Sequence, residues 1–301
     1  MVRRDIVKKI NPFLKSKIIG QLFICVPVLL IILFYFYPMV ESFRLSLSSG
    51  KGVKLSYVGF SNYQRLFHDP AFLDSLKNTL IFLVFQVPIM VLLAIFFSVL
   101  LNQKTLKFKG IFRTIVFLPA VTSLVAYSMI FKSLFANDGV INKILQMLHL
   151  VKEPILWLSD PLWAKVLIII AITWRWTGYN MIFFLSALQN IDPEIYEAAD
   201  VDGATSFRKF FSITVPLLKP VILFTTITST IGTLQLFDEP MNLTQGGPGG
   251  ATQTISQYIY NLSFKYTPDF GYAAAVSYAI VFLVVVLSVI QTWIGGKDAK
   301  K

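Results

Sequence analysis

A single cation inside an apolar run is the first feature of this chain that demands a chemical explanation. Arg175 interrupts the stretch from Val166 to Ile191, with Trp174, Trp176, Tyr179 and Asn180 close to it. Near the middle of a membrane an unpaired charge costs about 2.5 to 3.5 kcal/mol on insertion scales, so Arg175 must face a wet cavity or a partner. Tyr179 lies one helical turn away. A second polar set, Gln235 and Asp238 on one helical face with Glu239 and Asn242 just beyond, sits at the end of the apolar stretch from Pro220 to Phe237. Arg175 therefore has two readings: contact with a polar solute, or a structural ion pair with Asp238 or a companion subunit. Nothing points to catalysis. There is no Gly-x-x-x-x-Gly-Lys-Ser/Thr phosphate loop, and Gly246 to Gly250 lacks the lysine. One cysteine, Cys25, and two histidines, His68 and His149, make neither a disulfide nor a metal cluster. No catalytic residue, metal ligand or cofactor is expected of the chain itself.

The elements that must hold these residues follow from composition. With 301 residues, 55% hydrophobic and 14% charged, and a mean hydropathy of +0.66, the chain is too apolar for an ordinary soluble domain. A formal charge of +11 suggests a nucleic-acid partner at first sight, but the basic residues are spread over short segments between apolar runs, which fits a membrane protein. A hydrocarbon core about 30 Å thick needs roughly 20 helical residues. Six stretches qualify: 18–40, 78–103, 114–131, 166–191, 220–237 and 270–296. The alternating pattern of a membrane barrel is absent, so the expected class is all-α, integral membrane, with six transmembrane helices. The first stretch resembles a secretory signal in its basic flank, yet it ends in Tyr35-Phe36-Tyr37-Pro38 without a small-residue cleavage pattern, and a retained anchor is expected. Pro88 and Pro119 are expected to kink the second and third spans.

Lysine and arginine accumulate on the cytoplasmic side. With the amino terminus inside, sixteen lie on that face and ten on the other, over longer loops. Both termini are therefore expected in the cytoplasm, with residues 1–17 a basic tail, 18–296 the membrane domain and 297–301 a short tail. On the outer side, Gly139 to Leu150 has helical spacing consistent with a helix lying along the interface, and Trp157 and Trp163 suit an aromatic belt.

The cytoplasmic loop 192–216 spells out two short helices. Asp192 can cap the first, Pro193 fits its first position, and Gly203 can end it in a left-handed conformation. Thr205 or Ser206 can cap the second, and Pro216 is expected to stop it before the next span. Ala198, Ala199, Gly203 and Ala204 leave room for another backbone to approach, which suggests docking, although propensity alone favours a connector.

The spacing Glu197-Ala198-Ala199, Gly203, Ile213-Thr214-Val215-Pro216 is similar to the EAA loop of binding-protein-dependent ABC importer permeases, with Val215 in place of the usual leucine. Gly178-Tyr179-Asn180-Met181, Leu188-Gln189-Asn190-Ile191, the segment Leu243 to Gly250 and Phe270-Gly271-Tyr272-Ala273-Ala274 resemble the carbohydrate-uptake branch, in particular the larger subunit of the maltose permease. The resemblance implies that Glu197, Ala198, Ala199, Asp202, Gly203 and Pro216 form a coupling surface for an ATPase subunit. It implies that ATP and magnesium are bound by that partner. It further implies a homologous second permease, two ATPase subunits, an extracytoplasmic sugar-binding protein, a bacterial-type cell membrane and no nucleic acid. The pathway for a disaccharide or oligosaccharide is then expected along Arg175, Trp176, Tyr179, Asn180, Gln235 and Asp238, since sugars are held by hydrogen bonds and stacked rings. The threonine-rich part of the fifth span, Thr225 to Thr233, is expected to serve helix packing. A polyol or a phosphorylated glycerol is the alternative cargo. A stand-alone secondary transporter is the alternative class, but no convincing repeat and no carboxylate deep in a span supports it.

Overall fold

The computed structural model of the chain describes residues 12–50, 55–103 and 105–298. Most of the amino-terminal tail expected at 1–17 and residues 299–301 lie outside the described residues. Three of its helices begin with the same device. Asp69, Asp160 and Asp192 each precede a proline and accept a hydrogen bond from a backbone N–H of the first turn: Ala71 at 3.0 Å, Leu162 at 2.8 Å and Glu194 at 3.0 Å. The carboxylate satisfies a donor that has no partner in the helix, and proline lacks the N–H that would otherwise be stranded.

The chain runs as α1 (Pro12–Ile31), a π-helical turn (Ile32–Phe36) and α2 (Tyr37–Ser46) in one span, then the short pair β1 (Ser48–Ser49) and β2 (Ser56–Tyr57), α3 (Ser61–Leu66) and α4 (Pro70–Asn102). It continues with α5 (Lys109–Val121), α6 (Leu124–Leu134), α7 (Val140–Met147), α8 (Pro161–Gln189) and α9 (Pro193–Val201). After these come α10 (Ser206–Lys209), a second π-helical turn (Phe210–Thr214), α11 (Val215–Leu234), α12 (Ile255–Tyr260) and α13 (Phe270–Asp298). Among the described residues five helices are long and apolar enough to cross a membrane, and α5 with α6 forms a further bent pair.

That pair departs from the straight third span expected at 114–131. Its halves meet at 100°. Pro119 removes one backbone donor, and Thr122 and Ser123 turn extended, with ψ of 147° and 130°. The Thr122 hydroxyl, donating to the Pro119 carbonyl at 2.7 Å, satisfies one of the acceptors freed by the break. Packing shows that the pair crosses rather than returns. Arg113 on α5 donates to the Leu101 carbonyl at 3.3 Å, at the end of α4 remote from Asp69. Phe135, just past α6, meets Trp157, ahead of α8 at the opposite end, at 5.1 Å. With the bent pair counted as one span, the described residues make six crossings. Pro88, by contrast, lies inside an unbroken α4.

Two further differences from the sequence expectation have local causes. Pro216 does not stop the helix that begins at Ser206: the residues from Ser206 to Leu234 form one continuous span. The π-helical turn widens the backbone, so that Val215 N–H bonds the Phe210 carbonyl and the ring of Pro216 is accommodated. Trp157 does not project outward as a lipid-facing anchor would. It is 6% exposed and donates to Asn142 Oδ1 at 3.1 Å, because the buried Asn142 also holds the Ile155 carbonyl and pulls that segment inward.

The bundle is built around α8. On one side α4 buries Phe82, Met90 and Ala94 against Leu167, Ile168, Met181 and Phe184. On another, Gly178 lets α5 approach so closely that an added Cβ would lie 1.9 Å from the Val116 carbonyl oxygen. At the end remote from the α8–α11 loop, Asp69 accepts hydrogen bonds from the Tyr258 and Tyr272 hydroxyls at 2.5 and 2.6 Å. Arg65 covers the Tyr272 ring and pairs with Asp269 at 2.8 Å. This latch ties the start of α4 to α12 and α13. Burial pushes the Asp69 carboxyl up, but the hydrogen bonds from Tyr258, Tyr272 and the backbone outweigh it and hold it below its ordinary value. A carboxyl lowered by folding stabilises above its unfolded pKa, and the effect fades as pH falls through the folded one.

Replacing Gly178 by alanine is expected to lower thermal stability by about 1–3 kcal/mol, as overpacking does. Gly232, with nothing within 4 Å of an added Cβ, should accept alanine without loss. Melting curves of the two purified variants decide this. The stability gap between the wild type and Asp69→Asn should be full at neutral pH and close in acid, below about pH 4, when unfolding is followed against pH.

Candidate translocation cavity and coupling surface

A cavity of about 490 Å³ opens between α4, α8, α11 and the segment that follows α11. Arg175, Trp176, Tyr179, Asn180, Gln235 and Asp238 all line it. On α8, positions 175, 176, 179 and 180 share one face by helical periodicity, so the sequence spacing turns all four toward the same space. Trp176 and Tyr179 stand edge to face at 5.7 Å, and Tyr179 meets Phe183 at 5.3 Å. Asn180 donates to the Trp176 carbonyl at 3.0 Å.

The guanidinium of Arg175 donates to Glu239 Oε1 at 3.2 Å, with side chains 13% and 3% exposed. It also lies 5.3 Å from the Trp176 ring and 5.5 Å from the Tyr127 ring. The partner within the chain is thus Glu239 and not Asp238. Helical extrapolation past Leu234 fails because α11 ends there: Gln235 and Leu236 close the last turn, and the chain swings Glu239 inward ahead of a π-helical turn at Pro240–Thr244. Asp238 remains exposed, and its carboxylate has no ion pair among the described residues.

Other wall residues carried weaker signals. Thr228, Ser229, Gly232 and Thr233 line the cavity, whereas the threonine-rich stretch reads as a packing face. Thr225 and Thr230 do pack, both below 2% exposed. From α4 come Gln86 and Met90. Gln86 accepts from the Thr233 hydroxyl at 3.1 Å, and an amide alone in an apolar run is the signal by which it was findable.

At the opposite end of α8, Asn190 and Ile191 lead into α9. Glu197, Ala198, Asp202, Gly203 and Pro216 are exposed and Ala199 is half-buried. Gly203 has φ +73°, which an L side chain resists, and this lets the chain reverse into Thr205, whose hydroxyl caps α10 by accepting from Arg208 N at 3.3 Å. Lys209 pairs with Asp200 at 2.5 Å, and the Tyr196 and Thr214 hydroxyls meet at 3.0 Å. The loop is therefore braced against the base of α11. Beside the small residues it presents apolar side chains, Val201 at 89% and Phe207 at 73% exposure.

Six crossings around a polar, aromatic-lined cavity, with a braced and exposed loop at one end, define a membrane transport subunit. The chain belongs to the inner-membrane components of binding-protein-dependent transport systems, whose family model matches residues 58–297. It is 57% identical over 274 residues to the lactose transport system permease protein LacF of Rhizobium radiobacter, covering 90% of this chain and 92% of that one. It is 36% identical to the arabinooligosaccharides transport system permease protein AraP of Halalkalibacterium halodurans, covering 96% and 91%. The fold matches a bacterial ABC transporter involved in the import of the acidic polysaccharide alginate, with TM-score 0.81 and 24% identity over 95% of this chain and 98% of that one.

Removing one member of a buried ion pair strands the other. Arg175→Gln is expected to cost about 3 kcal/mol, and the double change Arg175→Gln with Glu239→Gln less than the sum of the singles. A thermal-stability cycle over the four proteins measures this.

Proposed function

We propose that this permease forms half of the pathway of an ATP-driven importer for lactose or a closely related disaccharide or oligosaccharide. The observation that carries the reading is the cavity itself: the edge-to-face rings of Trp176 and Tyr179 beside amides, hydroxyls and an ion pair, all within an apolar bundle. Sugars present apolar ring faces and a rim of hydroxyls, and such a wall matches both. The LacF relative supports the choice of cargo. The other half of the pathway is supplied by a homologous permease, and an extracytoplasmic binding protein delivers the sugar.

In this reading the loop 192–216 faces the cytoplasm of a bacterial-type cell and seats on an ATPase subunit, two of which bind ATP and magnesium. Ala198, Ala199 and Gly203 let the partner backbone approach, Glu197 offers a charge, and Asp202 and Pro216 flank the contact. Because α8 and α11 both enter the loop and both line the cavity, movement of α9 is transmitted to the walls that hold the sugar.

The test is co-purification of the chain with its ATPase from cells expressing the whole system, together with sugar-stimulated ATP hydrolysis. Glu197→Lys and Gly203→Asp are expected to reduce stimulated hydrolysis by about tenfold or more, within the usual range of coupling energies, while the permease still inserts. Transport of sugar by the chain alone in liposomes, without nucleotide, would overturn the proposal.

A further inference from the structure

Three ionisable side chains line the cavity: Arg175, Asp238 and Glu239. One cation and two anions leave the cavity with a formal charge of −1. The cation is ion-paired, since Arg175 donates to Glu239 at 3.2 Å and both are largely buried, while its Nε has no hydrogen-bond partner among the described residues. The second anion is exposed to the cavity, and its carboxylate has no ion pair among the described residues. The remaining polar wall, Gln86, Asn180, Ser229 and Thr233 among it, is uncharged. An apolar bundle surrounds the whole, so charges interact across it more strongly than in water.

Such a wall discriminates by charge as well as by shape. Hydroxyl groups can donate to the Asp238 carboxylate and accept from the amides, so an uncharged saccharide finds partners throughout. A carboxylate, sulfonate or phosphate finds, among the described residues of this wall, no free cation and an unneutralised anion, and like charges brought together in a poorly solvated site repel strongly. The fold does not impose this preference, because it is shared with an importer of an acidic polysaccharide. The preference resides in side chains.

Resting on the function proposed above, we propose that Asp238 and Glu239 are specificity-determining residues that make the cavity a charge filter, admitting uncharged saccharides and rejecting anionic ones. Glu239 acts by holding Arg175 neutralised, Asp238 by leaving the cavity net negative. A phosphorylated glycerol is a poor cargo for such a site.

The test uses the assembled membrane complex in nanodiscs without the binding protein, so that the permeases alone select. Two probes differ by one group: lactose, and lactose oxidised to a carboxylate at carbon 6 of the galactose ring. Calorimetry or ligand-observed magnetic resonance gives their affinities for wild type, Asp238→Asn, and Asp238→Asn with Glu239→Gln, a ladder of cavity charge from −1 through 0 to +1. The wild type is expected to prefer lactose by about tenfold or more, the size of one such charge contact. The first variant should narrow the preference and the second reverse it. Because the Asp238 carboxylate is exposed and outside the ion pair, Asp238→Asn tests the filter even where the double variant fails to fold. Equal affinities in the wild type, or a preference unmoved by Asp238→Asn, would overturn the filter and leave the sugar reading standing. Binding of neither probe by the wild type would overturn the reading of the cavity, and the filter with it.

Discussion

The close packing of α8 against its neighbours is the condition on which the rest of the molecule depends. A helix at the centre of a membrane bundle gains little from the hydrophobic effect, because lipid tails are as apolar as its own side chains, so its place must come from contact geometry. Here small residues supply it. Ala164 and Ala171 leave α4 room on one side, both fully buried, and Gly178 brings the backbone of α5 to a distance that no side chain would permit. That approach occurs within one turn of Arg175 and Tyr179. The residue that seats α5 and the residues that line the cavity therefore share one helix, and an error in the first displaces the second.

The break between α5 and α6 belongs to the same arrangement. Irregular backbone at membrane depth is tolerated where it is covered by protein or lines a wet space. Thr122 recovers one carbonyl, and below the break α6 turns to stack Tyr127 on Trp174 with ring centres 5.8 Å apart. Tyr127 in turn supplies an aromatic face near Arg175. A straight third span would not bring Tyr127 there. The guanidinium is thus stabilised from three directions: by a carboxylate arriving from beyond α11, by a ring on the bent span, and by Trp176 on its own helix.

Much of the molecule was legible in advance. The long spans follow from hydrocarbon thickness, the Asp-Pro starts from the needs of a first helical turn, and the reversal at Gly203 from the one residue that accepts a positive φ freely. The gathering of Arg175, Trp176, Tyr179 and Asn180 on one face needs no more than the helical period. What escaped were features in which the backbone leaves that period. The π-helical turn at Phe210–Thr214 carried the helix through Pro216, and the end of α11 at Leu234 redirected Asp238 and Glu239. Trp157 looked interfacial until Asn142, fifteen positions earlier, drew its segment into the core.

By itself the sequence determined that this chain crosses a membrane as helices, where most of those helices lie, and that one loop between them has the spacing of a coupling segment. These are consequences of local composition and period, which act over a few turns and need no knowledge of neighbours. Tertiary structure alone decided that α5 and α6 are two halves of one crossing and that Glu239 pairs with Arg175. Each depends on atoms far apart in sequence, and the pairing most of all: a buried charge takes the partner that the fold delivers within 3.2 Å, whatever lies nearest along the helical period.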